Sequence, residues 1–277
     1  METLSGKSDP IFKAARKQVR KVLNPLAQGA APSDEDIHAI RVCSKKLRAL
    51  LQLYRPGNAK ADIKQVEQLL KQLANSYAGL RDAHVQEKTL SRVISQLPFE
   101  DQAEMQPLLN YFATNNRQAS EQVKPIEAHQ GFADILQLWQ QQLRLKHRSD
   151  PGKGLDYSYR RARKLALDAH ASGEDETYHQ CRKWTKYYLY QAQLLCERKA
   201  AKPSITLLKQ LGEQLGLFQD HCVLEDSLLQ SPAQQPELAN LSQLALLAIE
   251  QQKTLDKEIA RQLFEQLYQH PHVPLAC

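Results

Sequence analysis

Apolar residues recur along almost the whole chain at spacings of three and four, the period of one helical face, from Ile11 onward. The stretch HAIRVCSKKLRALLQLY, 38–54, shows the pattern well. At about 100° per residue, Ile40, Cys43, Leu47, Leu50, Leu51 and Tyr54 fall on one side, and His38, Arg41, Lys45 and Arg48 on nearly the opposite one. The same periodicity predicts helices over about 10–23, 34–55, 60–77, 80–97, 101–128, 131–147, 154–171, 174–199, 203–216, 218–230 and 235–269. Breaks are expected at Asn24-Pro25, Pro56-Gly57, Pro98, Pro151-Gly152, Ser172-Gly173 and Pro203, with Ser33 and Asp36, then Ser172 or Asp175, as caps. No segment alternates with the period of a strand, so the expected fold class is all-α.

Three landmarks recur in order, each about 140 positions on. HAIRVCSKKLRALLQLY (38–54) resembles HQCRKWTKYYLYQAQLL (179–195), and LANSYAGLRDAHV (73–85) resembles LGEQLGLFQDHCV (211–223). Phe12-x-x-Ala15-Arg16 is echoed by Tyr159-x-x-Ala162-Arg163. The set points to a duplication, with a first helical half at 10–147, a second at 152–270, and HRSDPGKG (147–154) as hinge or basic rim loop.

Charge sharpens the picture. The 277 residues carry 37 Lys+Arg against 31 Asp+Glu, a net charge of only +6, so placement matters more than amount. The cations lie in rows: Lys13, Arg16 and Arg20; His38, Arg41, Lys45 and Arg48 with Lys46 beside them; Arg160 and Arg163 with Lys164; His179, Arg182 and Lys186 with Lys183. A solvated helix face usually mixes signs in i,i+4 pairs. These rows lack such partners, and like charges so arranged repel unless an anion is present.

Those residues resemble the CHAD family, the conserved-histidine α-helical domains. His38-x-x-Arg41-Val42 followed by Lys45-Lys46-Leu47-Arg48 is similar to the family's first signature, and Leu80-Arg81-Asp82-x-x-Val85 to its L-R-D-x-D-V turn. His179-x-x-Arg182-Lys183-x-x-Lys186 looks like the second signature and Leu215-Gly216-x-x-Gln219-Asp220 like the second turn, over about 10–230 in all. The resemblance implies one CHAD-like domain over 1–277. Its two pseudo-symmetric antiparallel helical bundles face a basic cleft that binds inorganic polyphosphate without catalysis, the histidine helices lining it. The binding set so implied is the four cationic rows plus Tyr190. The second half departs from the family: Lys186-Tyr187-Tyr188-Leu189-Tyr190 stands where K-R-L-R-Y is usual, and Leu167 and Leu189 occupy the places of Arg20 and Arg48. Binding is therefore expected to lean on the first half, with Leu189→Arg restoring a contact if that residue faces the cleft.

Phosphate chemistry fits the rows. A flexible polyanion needs many donors along a groove; arginine supplies a planar fork and lysine a mobile charge. Nucleic acid is the nearest alternative, but only 6% of residues are aromatic and no helix-turn-helix or RNA-binding signature occurs. A metal-dependent phosphohydrolase is the enzyme alternative, invited by nine histidines including His84 and His221. There is no H-x-x-x-H or H-E-x-x-H, and Asp82 and Asp220 read better as caps or partners of basic side chains. No catalytic residue, metal ligand or cofactor is assigned, and His38 and His179 are read as phosphate donors. Five scattered cysteines without C-x-x-C, no signal-peptide core and no apolar run of bilayer length set the expectation of a cytoplasmic protein with reduced thiols. Polyphosphate granules or a polyphosphate-metabolising enzyme are its candidate partners, and a membrane is not.

Overall fold

Helix α1 (Pro10–Leu23) begins where the Asp9 carboxylate accepts the backbone N–H groups of Ile11 and Phe12 at 2.9 and 3.3 Å. Helix α2 (Asp34–Leu51) begins with a capping box, as the sequence predicts: Asp36 N–H donates to Ser33 Oγ at 3.2 Å and Ser33 N–H to Asp36 Oδ2 at 3.0 Å. The computed structural model describes residues 9–26, 32–57, 59–77, 79–121, 127–147, 150–196, 198–234 and 236–270. Among these there is no strand, so the all-α expectation holds.

A 3-10 turn (Gln52–Gly57) follows α2, then α3 (Lys60–Asn75), α4 (Gly79–Ile94), α5 (Phe99–Glu104), α6 (Gln106–Glu121) and α7 (Ala128–Trp139). A π turn (Gln140–Arg144) extends α7; then come α8 (Pro151–Ser172), α9 (Asp175–Leu195), α10 (Arg198–Gln234) and α11 (Ala239–Leu267). Two expected breaks are absent, because α10 runs unbroken through Pro203 and Gly216. Pro203 falls in the second turn, where it removes a single backbone donor. Past Gly216 the apolar face simply continues, with Leu211, Leu215 and Phe218 in one core and Leu224 and Leu228 in another. The expected helix 101–128 is two helices, interrupted at Met105, which is fully buried.

The main core crosses the boundary between the two expected halves. Phe12, Leu47, Leu50, Phe132 and Trp139 belong to the same cluster as Tyr159, Cys181, Tyr188, Phe218 and Phe264. Helices α1, α2, α3 and α7 pack in a closed set of neighbours, as do α8, α9, α10 and α11, and α2 joins the sets by packing on α9. At that join the buried Gln191 amide donates to Ala49 O at 2.7 Å. Helix α8 also presses on the 3-10 turn, and only glycine fits there: a Cβ on Gly154 would lie 2.5 Å from Leu53 O. Gly173, at φ 68°, makes the left-handed turn between α8 and α9. A second, smaller core sets Leu90, Val93, Leu108 and Phe112 of α4 and α6 against Leu224, Leu228 and Ile249 of α10 and α11.

Cys43, Cys181 and Cys222 are free thiols, but Cys196 is disulfide-bonded, a departure from the expected set of reduced cysteines. Sequence spacing cannot show which thiols approach within bonding distance. No helix among the described residues is long and apolar enough to cross a membrane.

Candidate functional site

Helices α2 and α9 bury the faces that periodicity assigns to the core: Ile40, Leu47, Leu50, Cys181, Trp184 and Tyr188 are all under 10% exposed. Their opposite faces then come together where the helices pack. The Lys46 ammonium lies 6.0 Å from the centre of the Tyr190 ring, and the Arg48 and Lys183 charges each lie 6.0 Å from the Tyr187 ring. Two cationic clusters form around this join, the first with Asp220 and with Glu213, which pairs with Lys209 at 3.8 Å, and the second with Glu67.

In the first cluster Arg182 and Lys186, one helical turn apart on α9, lie over α10. Gly212 makes room for Lys186, since a Cβ there would stand 3.0 Å from Lys186 Cε; a Cβ at 216 would stand 3.8 Å from Arg182 Nε, an ordinary contact. The Arg182 Nε is buried and has no hydrogen-bond partner among the described residues. Burial lowers the pKa of the guanidinium, against the opposing pull of Asp220 and Tyr190. Burial likewise holds the Lys186 ammonium below its ordinary value, with Arg182 and Lys209 adding repulsion and Glu213 opposing. Asp220 is pushed up by burial and drawn down by Arg182, Arg92, His221 and Lys45. Lys45 of α2, Arg92 of α4, Arg182 and Lys186 of α9 and Lys209 of α10 thus share one electrostatic neighbourhood.

The second cluster lies where α2, α3 and α9 meet. Arg48 donates from Nε and Nη2 to Glu67 Oε1 at 3.3 and 3.1 Å. Burial lowers the pKa of Lys183; Glu67 opposes this, while Arg48, Lys71 and Arg55 add to it. Of these four cations Arg48 bonds Glu67, and the other three lie in the same electrostatic neighbourhood.

The histidine and arginine of each signature are placed differently. His179 pairs through Nδ1 with Gln219 Oε1 of α10, which fixes the ring and leaves Nε2 as its second polar atom. His38 is exposed on α2. Arg41 donates to Ala74 O and Tyr77 O at 3.4 and 3.2 Å, carbonyls at the end of α3 and just beyond it, so part of its donor capacity serves that helix end. The side chains of 80–84, including Asp82 and His84, lie outside the described residues.

The other two rows do not join these clusters. Lys13, Arg16 and Arg20 line a cavity of about 570 Å³ with Lys17 and Arg144, whereas Arg41, Lys45 and Arg48 line a separate one of about 120 Å³ with Ala74 and Asn75. On α8 the expectation that the rows lack i,i+4 acids fails: Arg160 is paired with Asp156, one turn earlier, at 2.5 Å, while Arg163 donates to Tyr268 O at 3.0 Å near the end of α11 and Lys164 is exposed. Leu189 is 2% exposed and belongs to the core, so it does not stand in the place of a surface cation. The repeat alignment puts it opposite Arg48, but the packing of α9 turns that position inward. Leu167 is half exposed, beside His170 and Arg261.

Glu67, Arg55, Lys71, Arg92 and Lys209 do not stand out in the sequence, since each sits outside the repeated signatures. The pair Gly212-x-x-x-Gly216 is the available signal, two small residues one turn apart on a face that long side chains cross. Two other groupings of histidine or carboxylate side chains are engaged. Buried His221 contacts Asp256 at 2.7 Å, and Asp256 also accepts from Gln214 at 2.6 Å. Asp175, Cys222 and Glu225 have metal-like spacing, but the Lys253 ammonium reaches Asp175 and Glu225 at 2.6 Å each, and Lys257 reaches Asp175 at 2.8 Å. Burial pushes the Cys222 thiol up to about 12.

The class so defined is an all-helical protein that gathers lysines and arginines from several packed helices around a central helix pair. The family model for the CHAD domain matches residues 11–229, and the chain belongs to that family. Its structure is similar to the crystal structure of the CHAD domain from the plant Ricinus communis, with 18% identity, a TM-score of 0.64 and coverage of 99% of this chain and 98% of that one. It is also similar to PptA from Streptomyces chartreusis, with 17% identity, a TM-score of 0.64 and coverage of 95% and 99%. No curated protein matches the sequence.

Proposed function

We propose that this protein binds inorganic polyphosphate, without turning it over, on the surface where α2 and α9 pack. The observation that carries the reading is Arg182: a partly buried guanidinium with an unfilled donor, set among Lys45, Arg92 and Lys186. Such a group is costly unless an anion completes it, and a run of phosphates supplies oxygens for the whole cluster. Family membership supports the same ligand, and the closed helix sets α1–α3 with α7 and α8–α11 support two related halves about a basic cleft. Lys46 and Tyr190, then Arg48 and Lys183, continue the cationic surface beyond Arg182. In this reading the protein works in the cytoplasm, at polyphosphate granules or beside a polyphosphate-metabolising enzyme.

The test is calorimetric titration with long-chain polyphosphate, and with single-stranded DNA and RNA of matched charge, at several salt concentrations. Tighter binding of polyphosphate, falling steeply with salt, is expected. Equal or tighter binding of nucleic acid overturns the choice of ligand. Incubation with Mg²⁺ or Mn²⁺ should release no orthophosphate above buffer; metal-dependent release abolished in His38→Ala overturns the non-catalytic reading.

A further inference from the structure

The cavity beside α1 holds more charge than the central surface explains. Lys13, Arg16, Lys17 and Arg20 recur at i, i+3, i+4 and i+7 and so share one face of the helix. Arg144 closes the cavity from the other side, its guanidinium 5.5 Å from the centre of the Phe12 ring. None of these five cations has an ion pair or side-chain hydrogen bond with another described residue. The one carboxylate in the lining, Asp9, caps the first N–H groups of α1 and accepts the Tyr54 hydroxyl. On α1 itself Lys13 and Lys17, and Arg16 and Arg20, are like-charged i,i+4 pairs, which destabilise a helix unless something neutralises them.

Arg144 is delivered by the π turn Gln140–Arg144, which ends the helix begun by α7 while Leu143 stays fully buried. The side chain it presents is the fifth cation of the cavity. The space, about 570 Å³ and half open to solvent, lies in the size range of small-molecule sites. Among the described residues none of α2 or α9 lines it.

We infer that the α1 cavity is a second anion site, separate from the central surface, which takes a short free oligophosphate of three or more linked phosphates. Three of its five cations are arginines, whose planar forks match terminal and bridging phosphate oxygens better than a lone carboxylate. Arg144 and Lys17 are exposed, so replacing them leaves the core intact.

Tripolyphosphate is the probe. After the central surface is saturated with long-chain polyphosphate, titration of the wild-type protein with tripolyphosphate should still give a binding signal. In Lys17→Ala/Arg144→Ala that signal should weaken about tenfold or more, with long-chain affinity changed less than about twofold and helicity retained. The pair Lys45→Ala/Lys186→Ala should do the reverse, weakening the long chain and sparing tripolyphosphate. If long-chain polymer abolishes tripolyphosphate binding to the wild type, or both ligands weaken equally in the first double variant, there is one continuous surface and the inference fails. A hexaglutamate peptide binding as tightly as tripolyphosphate overturns the phosphate assignment. Failure of long-chain polymer to bind at all would count against the central reading alone, since tripolyphosphate can then be titrated directly.

Discussion

Arg48 and Glu67 form a part-buried ion pair, Nη2 to Oε1 3.1 Å, directly beside the ring of Tyr187 and the ammonium of Lys183. On the proposed polyphosphate reading, Glu67 competes with the ligand's oxygens for Arg48. An incoming polyanion has to displace this carboxylate or tolerate it. Glu67→Gln keeps the shape and a hydrogen-bonding group while removing the negative charge. We expect it to tighten polyphosphate binding by about fivefold, on the order of 1 kcal/mol. Weaker binding, measured by titration at one salt concentration, would show that Glu67 is needed to hold Arg48 in place.

The two halves should contribute unequally, in the sense opposite to the one read from the sequence. Arg41 already donates to two carbonyls at the end of α3, and Arg48 to Glu67, so a ligand gains only part of their capacity. Arg182 has an unfilled buried donor, and removing a charged hydrogen bond to phosphate there should cost about 1.5–3 kcal/mol. Arg182→Ala/Lys186→Ala should therefore weaken binding more than Arg41→Ala/Arg48→Ala. Parallel dissociation constants, with circular dichroism for folding, decide it.

Leu189→Arg is expected to destabilise the fold rather than add a phosphate ligand. The site is 2% exposed within the main core, and a charge placed there without a partner costs at least about 3 kcal/mol. For a chain of this size that lowers Tm by roughly 6 °C or more. An unchanged melting curve together with tighter binding would return Leu189 to the surface.

Binding should weaken on the alkaline side earlier than free lysine predicts. Burial holds Lys183 and Lys186 below the usual 10.5, so each loses its charge before an exposed lysine would. A bound polyanion favours the charged forms, which makes binding take up protons in that window. Affinity should fall as pH rises through the lowered values. The unliganded fold should respond the other way: between those values and 10.5 the unfolded chain holds more protons, so stability rises with pH. Titrations and melts from pH 7 to about 10 compare the two slopes, and Lys183→Arg/Lys186→Arg should flatten both.

Much of the helical plan is legible in the sequence because it is written in local terms. The period of Ile40, Cys43, Leu47 and Leu50, the Ser33–Asp36 box and Gly173 at the end of α8 each act within a few residues, and each is found in the structure. The breaks expected at Pro203 and Gly216 fail for a non-local reason: two cores hold the two ends of α10, and their packing outweighs a missing donor and a flexible residue. Leu189 misleads in the same way, since repeat alignment matches positions whereas burial depends on the neighbour each helix meets.

The sequence by itself determined an all-helical chain, its apolar helix faces and the rows of basic residues on α1, α2, α8 and α9, because helix period and charge are properties of consecutive residues. Only the tertiary structure decided which rows meet. It brought Lys45 and Arg182 into the field of one Asp220, gave Arg48 to Glu67, and turned the α1 row toward Arg144 on a π turn. Coulombic interaction and desolvation depend on distances between helices and on what covers them, and those are set by packing that no single segment encodes.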